Sequence, residues 1–310
     1  MRMFLVSAGL ALSWLVLSSP TQAAIIITDN FEVDTSANYT RVSNNLANGS
    51  VAYAFDYIAA GIPLAPRSSV GEKGGVRIAA NTTAGATNSQ TLFHNLPVTA
   101  NEYILKVDAY MAFSGGGTTT YGQVGVGGNG STFNSVFTPI SGSGSFMAFT
   151  GDGGSASDYR WFLSNSNGGP TTFPNSDASH LGRGSNGTHP FFTALFPNPQ
   201  ATVAGSPGNM WTTVEVHVNN TAKSIKYYMT NPVTNTTGLI FDNTVVGATL
   251  FTGNLNGQVS LSVHDAFTSI SSPGVFTVYD NLEVNVIPEP SSALLLSTGL
   301  AGLFIRRRRS

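Results

Sequence analysis

Acidic side chains lie on three segments in which residues alternate between two faces, and pairs of carboxylates are the groups that hydrolyse glycosidic bonds. In the first segment Glu102 and Asp108 share a face, but Lys106 lies between them, which is typical of a solvated surface. The other two segments each carry one carboxylate with a polar residue two positions later, Glu215 with His217 and Glu283 with Asn285. This pattern predicts that the protein is not a glycosidase, although a polysaccharide-degrading enzyme with an unrecognised site stays an alternative.

Aromatic residues cluster in the run Asp158-Tyr159-Arg160-Trp161-Phe162. Exposed rings cover the apolar faces of sugars while nearby polar groups bind the hydroxyls, so Tyr159 and Trp161 with Asp152 and Asn165 form a candidate carbohydrate-binding site. Alternation also places Tyr159, Trp161 and Leu163 on one face of a strand. Because Leu163 is apolar, we favour the interpretation that this face is buried.

Residues 165–190 are rich in Asn, Gly, Ser and Pro, which predicts a long surface loop. His180, Arg183 and His189 in this segment could bind a metal or an anion. We favour the simpler interpretation that they are solvated loop residues.

Alternation with a period of two recurs along residues 24–286, and no apolar pattern of helical period interrupts it. Glycine and asparagine clusters separate the alternating runs. Many short strands with frequent turns predict an all-β fold, a two-layer antiparallel β-sandwich without helices in its body. The clearest runs are residues 51–57, 76–80, 102–113, 146–150, 159–163, 211–218, 224–229, 259–263 and 275–286.

The N-terminus has the three parts of a secretory signal. Arg2 supplies positive charge, residues 3–17 are mostly apolar, and Pro20 precedes small residues. We predict a signal peptide over residues 1–23, cleaved by signal peptidase after Ala23. The absence of cysteine, in a chain whose export would permit disulfides, indicates a domain held by its core or by metal ions.

The C-terminus carries a second signal in residues 288–310. Its 15 apolar residues, 291–305, would span about 22 Å as a helix, which is short of the hydrocarbon thickness of a bilayer. The arginines that follow would hold their side in the cytoplasm, so residues 24–287 lie outside as one β-sandwich domain. The residues of this signal are Pro288, Glu289 and Pro290 before the apolar segment, and Arg306, Arg307, Arg308 and Arg309 after it.

This order of motifs resembles the PEP-CTERM sorting tail of Gram-negative bacteria. The resemblance implies processing by an exosortase, brief anchoring in the inner membrane through a short transmembrane helix, and delivery to the cell surface or matrix. It also implies a link to extracellular polysaccharide or biofilm. A plain single-span anchor is the alternative.

Scattered segments resemble the concanavalin-like, laminin-G-like jelly roll. They are residues 29–32, 211–218 with 225–228, and 278–284. In glucanase relatives an aspartate near the final strand binds calcium, so the resemblance implies a calcium site at Asp280, with Asp29 on the opening strand nearby. The alternative is that both aspartates form turns or strand ends, and we favour it.

Charge and composition narrow the function further. Removing Arg2 and the four C-terminal arginines takes five of the 14 basic residues and leaves nine against 16 acidic ones, a net charge of −7. An acidic domain with no basic cluster is not a nucleic-acid binder. The leading hypothesis is an exported, non-catalytic adhesive or matrix protein that binds glycan. A structural surface protein without a small ligand is the second hypothesis.

Overall fold

The computed structural model describes residues 23–114, 119–137, 139–164, 171–267 and 274–288. They form an all-β, two-layer antiparallel sandwich, which confirms the predicted fold class. The predicted terminal helices and the signal peptide lie outside the described residues, and none of the helices within those residues is long and apolar enough to cross a membrane. The sandwich, from Ala23 to Ile287, is a compact unit with its own core, so residues 24–287 can be studied as a separate domain.

The first layer, sheet A, holds eight strands in the described part of the chain. Their order is β13-β12-β11-β6-β15-β4-β3, and β1 pairs with β15 beside this path. The bounds are β1 Ala24–Asp29, β3 Gly49–Ala52, β4 Val76–Ala80, β6 Glu102–Ala112, β11 Trp211–Asn219, β12 Ser224–Asn231, β13 Thr236–Asp242 and β15 Phe276–Val286.

The second layer, sheet B, holds seven described strands in the order β10-β9-β8-β7-β14-β5-β2. The bounds are β2 Tyr39–Ser43, β5 Asn88–His94, β7 Thr120–Gly128, β8 Ser145–Thr150, β9 Tyr159–Leu163, β10 Thr171–Thr172 and β14 Gln258–Asp265. Every pairing between these strands is antiparallel. Successive side chains along a strand point to opposite faces, so one row faces the core and the other faces outward.

The predicted alternation explains the central strands of sheet A. On β11, Val214 and Val216 face the core, and Glu215 between them faces outward. Their partners on β6 repeat the arrangement, with Val107 opposite Val214 and Leu105 opposite Val216. From sheet A, Tyr279 crosses the core and donates its hydroxyl to the Ser262 carbonyl at 2.7 Å, which ties the two layers together.

Three fold expectations are wrong in detail. Residues 190–195 form a short α-helix, α1 Pro190–Leu195, where no helix was expected, because His189 caps its first turn and Pro190 pre-sets the backbone. The described part of the predicted long loop contains β10 and a 3-10 turn, Ala178–His180. The strand expected over residues 51–57 ends at Ala52, where the chain turns.

Candidate functional site

An open pocket of about 290 Å³ lies on the outer face of sheet B, near the ends of β7, β8 and β14. One wall is aromatic and the other is made of carboxylates and hydroxyls, so we refer to it as the aromatic–carboxylate pocket. It is lined by Thr119, Tyr121, Phe137, Thr150, Asp152, Ser155, Ser157, Asp158 and Phe267.

The aromatic wall is assembled from three separate segments. Tyr121 stands on β7 in a cluster outside the main core, and the Phe137 ring lies against it at 5.8 Å between centroids. Phe267 follows β14, its ring 5.3 Å from Phe137. Because 52% of Phe267 is exposed, a large apolar ring stands at the mouth of a polar pocket.

The loop that carries Phe137 is fastened to the sheet beneath it. Arg160 on β9 donates to the Val136 carbonyl at 2.7 Å, and its guanidinium stacks 4.3 Å from the Phe137 ring centroid. The Asn134 amide donates to the Ser260 hydroxyl on β14 at 3.1 Å. These contacts hold the Phe137 ring in place before any ligand arrives.

The opposite wall comes from the connection between β8 and β9. Asp158 is fully buried and accepts hydrogen bonds from the backbone N–H groups of Ser155 at 3.0 Å and Gly187 at 2.8 Å. Burial nevertheless raises the pKa of Asp158 to about 6. Burial also raises the pKa of Asp152, which is half-buried and lies close enough to add to the shift of Asp158. Burial therefore disfavours the ionised form of both carboxylates in the pocket.

No basic side chain in the described part of the chain lies within 4.0 Å of the Asp152 or Asp158 carboxylate. The nearby Arg160 is turned toward the Val136 carbonyl and the Phe137 ring instead. The two carboxylates are thus partnered directly by backbone N–H groups and hydroxyls, and Arg160 acts on the pocket only from a greater distance.

The structure separates the residues of the predicted carbohydrate site. Asp152 lies in the pocket, and Asn165 falls outside the described residues. Tyr159 and Trp161 are fully buried, so neither ring is available to a sugar. Trp161 stacks on Phe173 at 4.1 Å, because its face of β9 points into the core as the alternation with Leu163 indicated.

Phe137 and Phe267, two of the three rings that line the pocket, were missed by sequence reasoning. Both lie in irregular segments, where no periodic pattern exists to assign a face. The available signal was a large apolar residue next to Ser- and Thr-rich loop sequence, which is too common on protein surfaces to indicate a binding site.

The aspartates of the predicted calcium site do not fit a cation in this arrangement. Asp29 accepts hydrogen bonds from the Phe31 backbone N–H and the Tyr39 hydroxyl. Asp280 accepts from the Tyr57 hydroxyl at 3.1 Å and the Ser68 hydroxyl at 2.8 Å. Calcium needs six to eight oxygen ligands, whereas hydrogen-bond donors surround these carboxylates. Among the described residues no group of three or more His, Cys, Asp or Glu side chains could hold a metal ion.

Cross-strand pairing on sheet A brings together acids that are distant in sequence. Asp108, expected on a solvated face, is fully buried, with Arg67 at 3.1 Å and the Thr213 hydroxyl at 2.6 Å. The expectation was wrong because residues 53–75 pass over this part of the sheet and cover it.

Lys106 pairs with Glu215 across β6 and β11 at 2.8 Å. Hydrogen bonds from His217 and Lys106 lower the pKa of Glu215 to about 2.

The polar residues of the predicted long loop are structural where the structure describes them. His180 is buried against the Phe241 ring, which corrects its assignment as a solvated residue. Arg183 donates to the Leu239 carbonyl at 2.6 Å and stacks on Phe191, and His189 caps α1. The three side chains therefore have separate partners and form no shared site.

A comparison with models of known protein families gives a match to the C-terminal residues of the chain. Residues 286–309 match the model of the PEP-CTERM protein-sorting motif. The chain ends in a PEP-CTERM sorting signal. This confirms the predicted sorting motif and indicates an exported protein sorted through the membrane. No curated protein matches the chain.

The sandwich is distantly similar in structure to several solved proteins. The cellulose-induced protein Cip1 has a TM-score of 0.45 at 8% identity, covering 83% of this chain and 96% of its own. A Bacillus subtilis protein with a galectin-like fold has a TM-score of 0.43 at 8% identity, covering 86% and 98%. The potassium-bound carbohydrate recognition domain of Emp46p has a TM-score of 0.42 at 11% identity, covering 83% and 93%. With such distant likenesses, function has to be argued from the site itself.

Proposed function

We propose that this chain is an exported, exosortase-processed surface or matrix protein whose sandwich binds glycan in the aromatic–carboxylate pocket. The observation that carries the proposal is the exposed Phe267 ring facing a wall of carboxylates and hydroxyls across one concave site. Its destination, after transient anchoring in the inner membrane, is the cell surface or a polysaccharide-rich matrix.

The two walls suit the two kinds of surface on a sugar. A pyranose ring presents C–H groups on its faces, which an aromatic ring can cover, and hydroxyls at its edge. Asp152, Ser155 and Ser157 offer acceptors and donors opposite Phe267. The volume of about 290 Å³ is at the lower end of ligand pockets, which supports binding of one or two sugar units of a longer chain rather than a buried small ligand.

Binding without catalysis is the function that the contacts of Asp158 support. A nucleophile or acid–base group needs an oxygen free to meet the substrate. Both oxygens of Asp158 already accept backbone hydrogen bonds, from Ser155 and Gly187. Calcium is not part of the proposal, because the implied ligands Asp29 and Asp280 are held by donors.

A glycan array on residues 24–287 tests the proposal. We expect wild-type protein to retain polysaccharide and Phe267→Ala to lose retention while keeping its melting temperature, because the ring is half exposed. Leu96→Ala is the matched control, since Leu96 is 49% exposed but lies outside the pocket. Absence of retention on every glycan, or equal retention by Phe267→Ala, would contradict the proposal.

A separate experiment tests the sorting tail. Replacing Arg306, Arg307, Arg308 and Arg309 with neutral residues removes the charge expected to keep the C-terminus in the cytoplasm. We expect the full chain to escape processing, measured as loss of the size shift between precursor and mature protein in a host with an exosortase. Normal processing of this variant would count against the assigned role of the arginines.

A further inference from the structure

We infer that the aromatic–carboxylate pocket selects a cationic glycan, one whose sugar carries a free amino group, over neutral or acidic sugars. The inference rests on the proposed function and adds the class of ligand to it. Its basis is an imbalance of charge inside the pocket.

The pocket holds two carboxylates without a cation to balance them. No Lys, Arg or His in the described residues forms an ion pair with Asp152 or Asp158. The internal segments outside the described residues cannot supply one either, because they contain only Gly, Thr, Asn, Ser, Ile and Pro. Those segments are residues 115–118, 138, 165–170 and 268–273. An ion-pair partner for either carboxylate would therefore be supplied by a ligand.

Elsewhere on the molecule three buried or half-buried carboxylates do have such partners, whereas Asp29 and Asp280 are buried with hydrogen-bond donors alone. Asp108 has Arg67, Glu215 has Lys106, and Asp242 has Lys226 at 3.1 Å. A carboxylate removed from water without a partner is costly. Burial raises the pKa of both pocket aspartates, which is the expected sign of that cost. A bound ammonium group would offset it.

The aromatic wall favours the same ligand. An ammonium group is attracted to the face of an aromatic ring, and the attraction grows when water is excluded. Phe267 and Phe137 form a ring pair at the mouth, but Arg160 is already stacked on Phe137, which leaves Phe267 as the exposed ring. An amino sugar can therefore place its C–H face and its charge between Phe267 and Asp152.

Acidic glycans meet the opposite situation. A uronic acid or sulfate group in the pocket would face two carboxylates on a domain that is itself negative. Residues 24–287 carry nine basic and 15 acidic side chains. Repulsion therefore acts both within the site and during the approach of the ligand. Neutral sugars are not repelled, but they leave the two carboxylates unpaired.

The test compares two oligosaccharides of equal length, a glucosamine tetramer and its fully N-acetylated form, by calorimetric titration of residues 24–287 at low salt and pH 6.5. We expect the amine to bind at least about tenfold more tightly, the scale of one unscreened charge pair beside a ring. Asp152→Asn should remove most of this preference. Asp34→Asn, which neutralises an exposed carboxylate outside the pocket, should keep it.

The outcomes separate this inference from the proposed function. Equal binding of the two tetramers overturns the amino-sugar inference and leaves glycan binding intact. A preference that Asp152→Asn retains also overturns it, because the selecting charge then lies elsewhere. If neither tetramer binds and the array is blank as well, the proposed function itself fails. Preferential binding of an oligogalacturonate would reverse the assigned sign of the ligand.

Discussion

The outer faces of the two sheets differ in how most of their carboxylates are partnered. On sheet A, Arg67 and Lys106 neutralise the acids of neighbouring strands, and Asp108 is covered by an overlying segment. On sheet B, Asp152 and Asp158 line a pocket with only hydroxyl and backbone partners. The paired charges hold a covering segment in place, while the unpaired ones lie beside an exposed ring. Asp280 on sheet A also lacks a counter-charge among the described residues but is covered, so a carboxylate without a counter-charge indicates a binding site here only when it also lines an open pocket.

The largest expected difference in the free energy of unfolding is between a variant that loses a buried aromatic ring and one that loses an exposed ring. We expect Trp161→Ala to lower the free energy of unfolding by about 3–5 kcal/mol, because a fully buried ring stacked on Phe173 is lost. Phe267→Ala should leave the free energy of unfolding nearly unchanged. Denaturant titration of both variants measures the difference, and a fully stable Trp161→Ala protein would show that β9 does not pack as described.

Breaking a pair on sheet A should have the next largest effect. Arg67→Met leaves the buried carboxylate of Asp108 without its cation, and we expect a loss of about 2–3 kcal/mol, less than for a fully buried pair because Arg67 is partly exposed. Lys73→Met is the control, since its pair with Asp56 is exposed on both sides and should not change the melting temperature measurably. Equal melting temperatures for the two variants would remove the distinction between paired and unpaired faces.

The pH dependence of the free energy of unfolding tests the burial of Asp158 in the pocket on sheet B. The pKa of Asp158 is raised to about 6 from 3.8, so the folded state binds a proton more tightly than the unfolded chain. This contribution to stability is complete below about pH 4 and is lost as the pH rises to about 6, with an expected size on the order of 1–2 kcal/mol.

Asp158→Asn removes that titration, although it also disturbs two backbone hydrogen bonds. The informative quantity is therefore the slope of melting temperature between pH 4 and 6, which should become flatter than in the wild type. Asp280, whose pKa burial raises to about 7, titrates in both proteins and serves as the internal reference. An unchanged slope would mean that Asp158 is not the group responsible.

Chelation should have the smallest effect. Because hydrogen-bond donors surround Asp29 and Asp280, we expect the same melting temperature with excess chelator and with added calcium. A ligand bound only to the folded state would raise the melting temperature by mass action. A rise with calcium that Asp280→Ala abolishes would restore the calcium site that the jelly-roll resemblance implied.

Strands with strong alternation were predictable, and those without it were not. The limits of β4 and β9 match the predicted runs, and β6 and β11 differ by one residue at one end. β7 was missed because its four glycines and polar residues read as turn sequence. It is nevertheless a central strand of sheet B. Glycine fits at position 122 because Phe149 and Met111 occupy the space that a side chain there would need.

The candidate site was less predictable than the fold for a physical reason. Asp152 was identified because it is close in sequence to the aromatic run, but its partners in the pocket come from β7, from the loop after β7 and from the end of β14. Strand pairing brings these segments together over separations of more than 100 residues. A single sequence records which face a strand residue takes, but it does not record which irregular segments meet at the edge of a sheet.

We expect an amino-bearing glycan to bind in the pocket on sheet B and not on the paired face of sheet A. The most direct measurement is a backbone amide NMR titration of residues 24–287 with the glucosamine tetramer. We predict shifts at Tyr121, Asp152 and Ser155, and none at Lys106 or Thr230, which line a separate groove on sheet A. Shifts confined to sheet A, or saturation without any change around Asp152, would contradict the account.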